Sequence, residues 1–170
     1  MSVDKVREYL RSYGLEDRIK EFGISTATVA EAAEAVGVIP ARIAKTLSFQ
    51  SEECGCILVL MAGDAKVDNK KYRARFGVKP HMLTHEDALQ YTGHAVGGVC
   101  PFAVPDSVPV YLDVSLKRFD TVFPAAGSAA SAVRLTCDEL ERASRSRGWI
   151  DVCNCLLYTS PSPRDRTRSR

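Results

Sequence analysis

The stretch from Val38 to Gln50, V-I-P-A-R-I-A-K-T-L-S-F-Q, places one lysine, Lys45, where a short helix is expected to give way to an apolar strand. Pro40 suits a first helical position, because its missing N–H would be unpaired there and its φ is already helical. From Leu47 onward Leu-Ser-Phe-Gln alternates with period two, the pattern of a half-buried strand. Lys45 and Thr46 therefore fall at the expected junction. An ammonium held there has a short radius of motion and meets an anion as a point charge with three donors. A surface lysine whose stem covers apolar neighbours is the commoner meaning of such a local pattern, so the rest of the chain has to decide.

Working upstream, Val3, Val6, Leu10 and Tyr13, then Leu15, Ile19 and Phe22, give two apolar stripes broken at Gly14, read as helix, break, helix. Thr28-x-x-Glu31 is a capping box opening a helix over Val29 to Val36, with Gly37 as its stop. Downstream, Cys56 to Ala62 is short and continuously apolar, as expected of a strand covered on both faces. Asp68 is positioned to cap a helix that ends at Gly77, and Thr84-x-x-Asp87 to open another that ends before Gly93. Short strands are expected at Lys79 to Leu83, Pro109 to Val114, Phe119 to Ala125, Ala132 to Thr136 and Gly148 to Val152, and a capping box at Thr136-x-x-Glu139 starts a last helix. Strands mixed irregularly with short helices predict one compact mixed α/β domain around a mixed or partly closed barrel-like sheet.

Gly93 to Pro105, G-H-A-V-G-G-V-C-P-F-A-V-P, is either a structural bend or a loop that a ligand approaches closely. It is the second candidate wall of a site.

The chain has 170 residues, enough for one domain with a real core. Its formal charge of +2 misleads, because four arginines against one aspartate near the end leave the first 153 residues at −1. A nearly neutral body argues against a broad basic face for nucleic acid, and against a DNA-binding protein in particular. Cys54, Cys56, Cys100, Cys137, Cys153 and Cys155, without a signal pattern at the N-terminus, point to a reduced cytoplasmic protein. No apolar run approaches the ~20 residues that span a bilayer. The spacings Cys54-x-Cys56 and Cys153-x-Cys155 are tighter than structural zinc pairs, so no metal and no cofactor is expected. From Asn154 the sequence loses periodicity, and residues 154–170 read as a disordered tail. It is either a basic RNA-binding arm or, the reading favoured here, sequence foreign to the domain at 1–153.

Four segments then come in one order: A-R-I-A-K-T-L around Lys45, D-N-K-K-Y at Asp68 to Tyr72, Y-T-G-H-A-V-G-G-V-C-P at Tyr91 to Pro101, and L-D-V-S-L-K-R-F at Leu112 to Phe119. Together they resemble the YbaK/EbsC family of aminoacyl-tRNA deacylases, related to the editing domain of bacterial prolyl-tRNA synthetase. The resemblance covers about residues 1–153. It implies a trans-editing hydrolase that cleaves the ester between a wrong amino acid and the terminal adenosine of tRNA, a Cys-tRNA(Pro) or Ala-tRNA(Pro) type of deacylase. Its partners would be the acceptor end of aminoacyl-tRNA and a synthetase such as prolyl-tRNA synthetase. Lys45 would contact the terminal phosphate or ribose, and the loop Gly97 to Pro101 would position the ester.

On this reading the Gly98 and Val99 N–H groups are the oxyanion donors. Thr46, His94, Cys100 and Asp113 would lie near the substrate, and Lys70 and Lys71 on their helix would meet phosphates. His94 and Cys100 depart from residues common in relatives, tyrosine and serine, and invite a rival in which Cys100 is a nucleophile and His94 its base. The run Ala125 to Ala132 also lacks the basic residue common there in relatives. No Gly-x-Ser-x-Gly elbow and no Ser-His-Asp arrangement is apparent, which fits a mechanism that uses the 2′-OH of the tRNA itself. The alternative is a noncatalytic module that binds aminoacyl-tRNA or a synthetase.

Overall fold

The structure, a computed structural model, describes residues 3–95 and 97–155. Among them lie five α-helices: α1 Val3–Arg11, α2 Val29–Val36, α3 Asn69–Phe76, α4 His85–Thr92 and α5 Cys137–Ala143. The strands are β1 Ile19–Glu21, β2 Ile43–Ser51, β3 Gly55–Ala62, β4 Ala65–Val67, β5 Val110–Asp113, β6 Thr121–Pro124, β7 Ser131–Val133, β8 Leu135–Thr136, β9 Trp149–Ile150 and β10 Cys153–Cys155. Six of them form one mixed sheet in the order β8-β6-β2-β3-β5-β9, curled as a half-barrel, while β1 pairs with β7 and β10 with β4.

The helices form where local chemistry dictates. Thr28 and Thr136 each close a capping box with Glu31 and Glu139, satisfying N–H groups that a helix start leaves orphaned. Asp68 and Thr84 accept from Lys71 N and Asp87 N, and α2, α3 and α4 each stop at a left-handed glycine. Leu58, Val59, Leu60 and Met61 of β3 are inaccessible to solvent, so this strand is the axis of the core. Burying such a side chain contributes about 1.5–3 kcal/mol.

Several expectations need correction. The expected second helix is a 3-10 turn at Glu16–Arg18 followed by β1, because Ile19 to Glu21 finds partners in Val133 to Ser131. Pro40 opens only a 3-10 turn to Arg42, and the strand begins at Ile43 rather than Leu47. Lys45 is thus a strand residue and no junction. The expected strand over Lys79 to Leu83 amounts to one bridge, Phe49 to Met82. The expected strand over Ala132 to Thr136 divides at Arg134 into β7 and β8, which serve different sheets. Cys153 to Cys155 pairs with β4, so the expected boundary after residue 153 cuts through a strand. Of the tail expected over residues 154–170, residues 154 and 155 belong to β10, and residues 156–170 lie outside the described residues.

Candidate active site

Strand β2 owes its role to an interruption. On one edge it pairs with β3 from Ala44 to Ser51. On the other it meets β6 only at Ile43 and Ala44, then the segment after α3, where Leu83 N–H donates to Ser48 O at 3.1 Å and Gln50 N–H to His81 O at 2.8 Å. Between these contacts the edge has no strand partner among the described residues, and a cavity of about 310 Å³ is lined by this part of β2. Lys45, Thr46, Gly97 and Val99 line it, with Thr26 and Ser131 opposite and Val29, Ile43 and Phe123 giving it an apolar side.

Lys45 is half-buried. Its Nζ donates to Ala65 O at 2.6 Å, at the start of β4, and to Gly63 O at 3.4 Å, on the turn after β3. Burial lowers its pKa from the ordinary lysine value, with Cys153 and Asp64 pulling the other way. Two carbonyls thus fix the direction of the ammonium while burial makes its charge costly, so an approaching anion meets an oriented and poorly hydrated cation. Next to it, Thr46 Oγ1 is buried without a hydrogen-bond partner among the described residues.

The loop wall is held by close backbone packing. Gly97 has φ +87°, and a Cβ there would come within 3.1 Å of the Ala27 and Ala129 methyls. A Cβ on Gly98 would meet the backbone of Ser128 at 2.7 Å, so only glycine fits. Gly98 N–H already donates to Ala95 O at 3.0 Å, which removes it from the expected oxyanion donors. Val99 N–H has no partner among the described residues.

The other expected site residues fall elsewhere. His94 is fully buried, with Nε2 2.8 Å from Phe102 O, so this nitrogen carries the hydrogen. Burial lowers the His94 pKa, against the opposing pull of the Phe102 carbonyl. Cys100 Sγ lies 3.6 Å from the same nitrogen, but burial pushes this thiol up to about 12. A protonated thiol beside a nitrogen that already donates is not a nucleophile with its base, and neither residue lines the cavity. Pro101 turns into a separate hollow with Tyr9, Val104 and Arg145. Asp113 is buried and accepts from Ser115 N at 2.9 Å and Val152 N at 2.8 Å, tying the end of β5 to the approach of β10. Lys70 and Lys71 stand on α3, which does not reach the cavity; Lys71 donates to Asp151 at 3.1 Å and Cys153 O at 3.0 Å, and Asp151 raises its pKa.

Sequence reasoning missed the opposite wall. Thr26 Oγ1 accepts from Ser131 N at 3.1 Å, Thr26 N–H donates to Ala129 O at 2.6 Å, and Ser131 Oγ accepts from Ala126 N at 3.3 Å. The signal was the run of small residues A-A-G-S-A-A-S-A, read above only for the basic residue it lacks. Behind Phe123 and Ala132, which it shares with the cavity, a second hollow of about 350 Å³ carries Arg18, Lys20 and Arg134. Arg18 is spoken for by a bidentate pair with Glu139 at 2.8 and 3.0 Å, whereas Lys20 and Arg134 are exposed.

Comparison with known proteins gives this geometry a context. The chain is 53% identical over 153 residues to the uncharacterized protein YwhH of Bacillus subtilis, spanning 90% of this chain and 98% of that one. It is 28% identical over 104 residues to EbsC of Enterococcus faecalis, a candidate Cys-tRNA(Pro)/Cys-tRNA(Cys) deacylase, covering 61% of this chain and 63% of EbsC. A crystal structure assigned to a candidate trans-editing enzyme for prolyl-tRNA synthetase superposes with a TM-score of 0.80 at 31% identity, over 89% of this chain and 96% of that one. The sequence model of the aminoacyl-tRNA editing domain matches residues 25–143, which include both walls of the cavity. The chain therefore belongs to the aminoacyl-tRNA editing domain family.

Proposed function

We propose that the chain is a deacylase that hydrolyses the ester between a mistaken small amino acid and the terminal adenosine of tRNA. The observation that carries this reading is the cavity at the interrupted edge of β2, which combines an oriented lysine, backbone donors and an apolar side in one enclosure. Its volume sits at the low end of ligand sites, roughly 300–1,000 Å³, and favours a small uncharged side chain such as those of alanine or cysteine.

In this mechanism Lys45 holds the terminal phosphate or ribose. The carbonyl carbon faces donors that stabilise the oxygen as negative charge develops on it. Water adds to that carbon, the bond from carbon to the ribose oxygen breaks, and the ribose oxygen takes a proton. The products are a free amino acid and deacylated tRNA. The neighbouring 2′-OH relays the proton, so no protein nucleophile is required. Phosphates upstream of the adenosine pass Phe123 toward Lys20 and Arg134, in place of the expected Lys70 and Lys71. The chain works with tRNA in the cytoplasm, alongside a synthetase such as prolyl-tRNA synthetase. Among the described residues no helix is long and apolar enough to cross a membrane.

The test is deacylation of tRNA for proline charged with alanine, cysteine or proline, with and without Lys45→Ala. The reading expects loss of one defined hydrolysis in the variant. Binding of every charged tRNA with hydrolysis of none would overturn it in favour of a noncatalytic binding module.

A further inference from the structure

Alternate residues of a strand turn their N–H and C=O groups to opposite edges. In β2 the Ser48 carbonyl and the Gln50 N–H face away from β3, since they bond to Leu83 and His81. By the same alternation Thr46 turns its N–H and C=O away from β3 and into the bare stretch between β6 and His81–Leu83. Among the described residues no hydrogen bond reaches either group from that side. The Thr46 hydroxyl is also buried without a partner among them, and Thr46 lines the cavity.

The length of the bare stretch limits what fits. β6 closes it at Ala44 and the Leu83 contact closes it at Ser48, leaving one residue whose main-chain groups on that side have no partner among the described residues. In an antiparallel sheet a single opposing residue exchanges both bonds with its partner, its N–H going to the carbonyl and its carbonyl receiving the N–H. A peptide strand would collide with the flanking segments. A single aminoacyl group offers an ammonium donor and a carbonyl acceptor at that spacing, with no further residue on its amino side.

We infer that Thr46 binds the aminoacyl group of the substrate as a one-residue β-strand, its carbonyl accepting from the α-ammonium and its N–H donating to the ester carbonyl. This rests on the deacylase reading above and assigns which atoms hold the substrate. The Thr46 N–H then stands where Gly98 was expected, as a donor to the oxygen that becomes negative. The α-ammonium bond is charge-assisted and so carries most of the recognition of the main chain. A blocked amine fails, because the amine lies on the C-terminal side of Thr46 and an acyl group on it would run into the Leu83 end of the gap at Ser48. Peptidyl-tRNA and formylated initiator tRNA are thereby spared from hydrolysis, whatever their side chain.

The experiment uses the full chain labelled with ¹⁵N and an acceptor-stem RNA ending in 3′-amino-3′-deoxyadenosine, acylated through a stable amide. Three acyl groups are compared: alanyl, propionyl and N-acetylalanyl. The inference expects the alanyl RNA to move the Thr46 amide resonance downfield, with Leu47 and Phe49, which bond to β3, little changed. It expects the propionyl RNA to bind about tenfold or more weakly, the loss of one charge-assisted hydrogen bond, and the N-acetylalanyl RNA to leave Thr46 unmoved. If the alanyl RNA shifts Gly97 and Val99 but not Thr46, or if propionyl binds equally well, the inference is overturned while the deacylase reading stands. If none of the three shifts any cavity amide, both fall together.

Discussion

The Lys45 ammonium donates to the carbonyl oxygen of Ala65 at 2.6 Å, so a residue that lines the cavity is also stitched to the start of β4. Lys45→Ala should therefore lower both activity and stability. Deacylation is expected to fall by about 10²-fold or more, the usual effect of removing one charged stabiliser from a site. Loss of hydrogen bonds to a charged donor costs about 1.5–3 kcal/mol, read as a lower midpoint of thermal unfolding. Because burial lowers the pKa, activity that needs the charge should decline on the alkaline side before the ~10.4 of free lysine. Lys45→Arg should push that decline to higher pH, and a pH profile of kcat/KM decides it.

Cys100→Ser should keep deacylase activity within about threefold of the parent, since a buried thiol pushed up to about 12 takes no part in attack. A loss of several orders of magnitude would restore the thiol-hydrolase rival. Alkylation of the native protein should modify the half-exposed Cys54 before Cys100, which peptide mapping would resolve.

His94 gives a pH dependence whose sign follows from burial. Its pKa is lowered in the folded state, so the unfolded chain takes a proton near pH 6.5 that the folded chain refuses. Its contribution is present above about 6.5 and is lost as pH falls through the folded-state value. The thermal midpoint of the parent should fall more steeply below pH 6.5 than that of His94→Gln, whose amide can donate to Phe102 O without titrating.

Asp113→Ala should destabilise by about 2–4 kcal/mol, because it leaves the Ser115 and Val152 amides buried without an acceptor. Its kcat/KM per folded molecule should match the parent at low temperature. A substrate-binding role for Asp113 predicts the opposite, a raised KM with unaltered unfolding.

Lys20→Ala with Arg134→Ala should weaken binding of deacylated tRNA and flatten its dependence on salt. The slope of log K against log salt should shrink by roughly 0.7 for each phosphate that is no longer neutralised on a single-stranded end. Lys70→Ala should change neither, as α3 stands away from both hollows.

What was legible in the sequence was mostly local. Thr28 with Glu31 and Thr136 with Glu139 announce their helices within four residues, and Cys56 to Ala62 announces the central strand by apolar content alone. Ile19 to Glu21 was misread because its strand exists only through Ser131 to Val133, more than a hundred residues away, and periodicity carries no information about such a partner. Of the residues picked out for the site, Lys45, Thr46, Gly97 and Val99 line one cavity. His94, Cys100 and Asp113 are polar residues turned inward to bond backbone or each other, and in a linear text they look the same as ligands. Thr26 and Ser131 escaped notice because small residues are conspicuous only once two segments are seen to touch.

The contact of Gly98 with the backbone of Ser128 has a bearing on how such a protein changes its preference over time. Two walls that meet main chain to main chain behave as a fixed calliper, since no rotamer can widen the opening and no single side chain can be trimmed to loosen it. Drift toward a larger or smaller amino acid must then proceed by exchanging the inner facing of the jaws, at positions such as Ala32, Ile43 or Phe123, with the frame left untouched. Paralogues with different tastes should therefore share the glycines and differ in the facing.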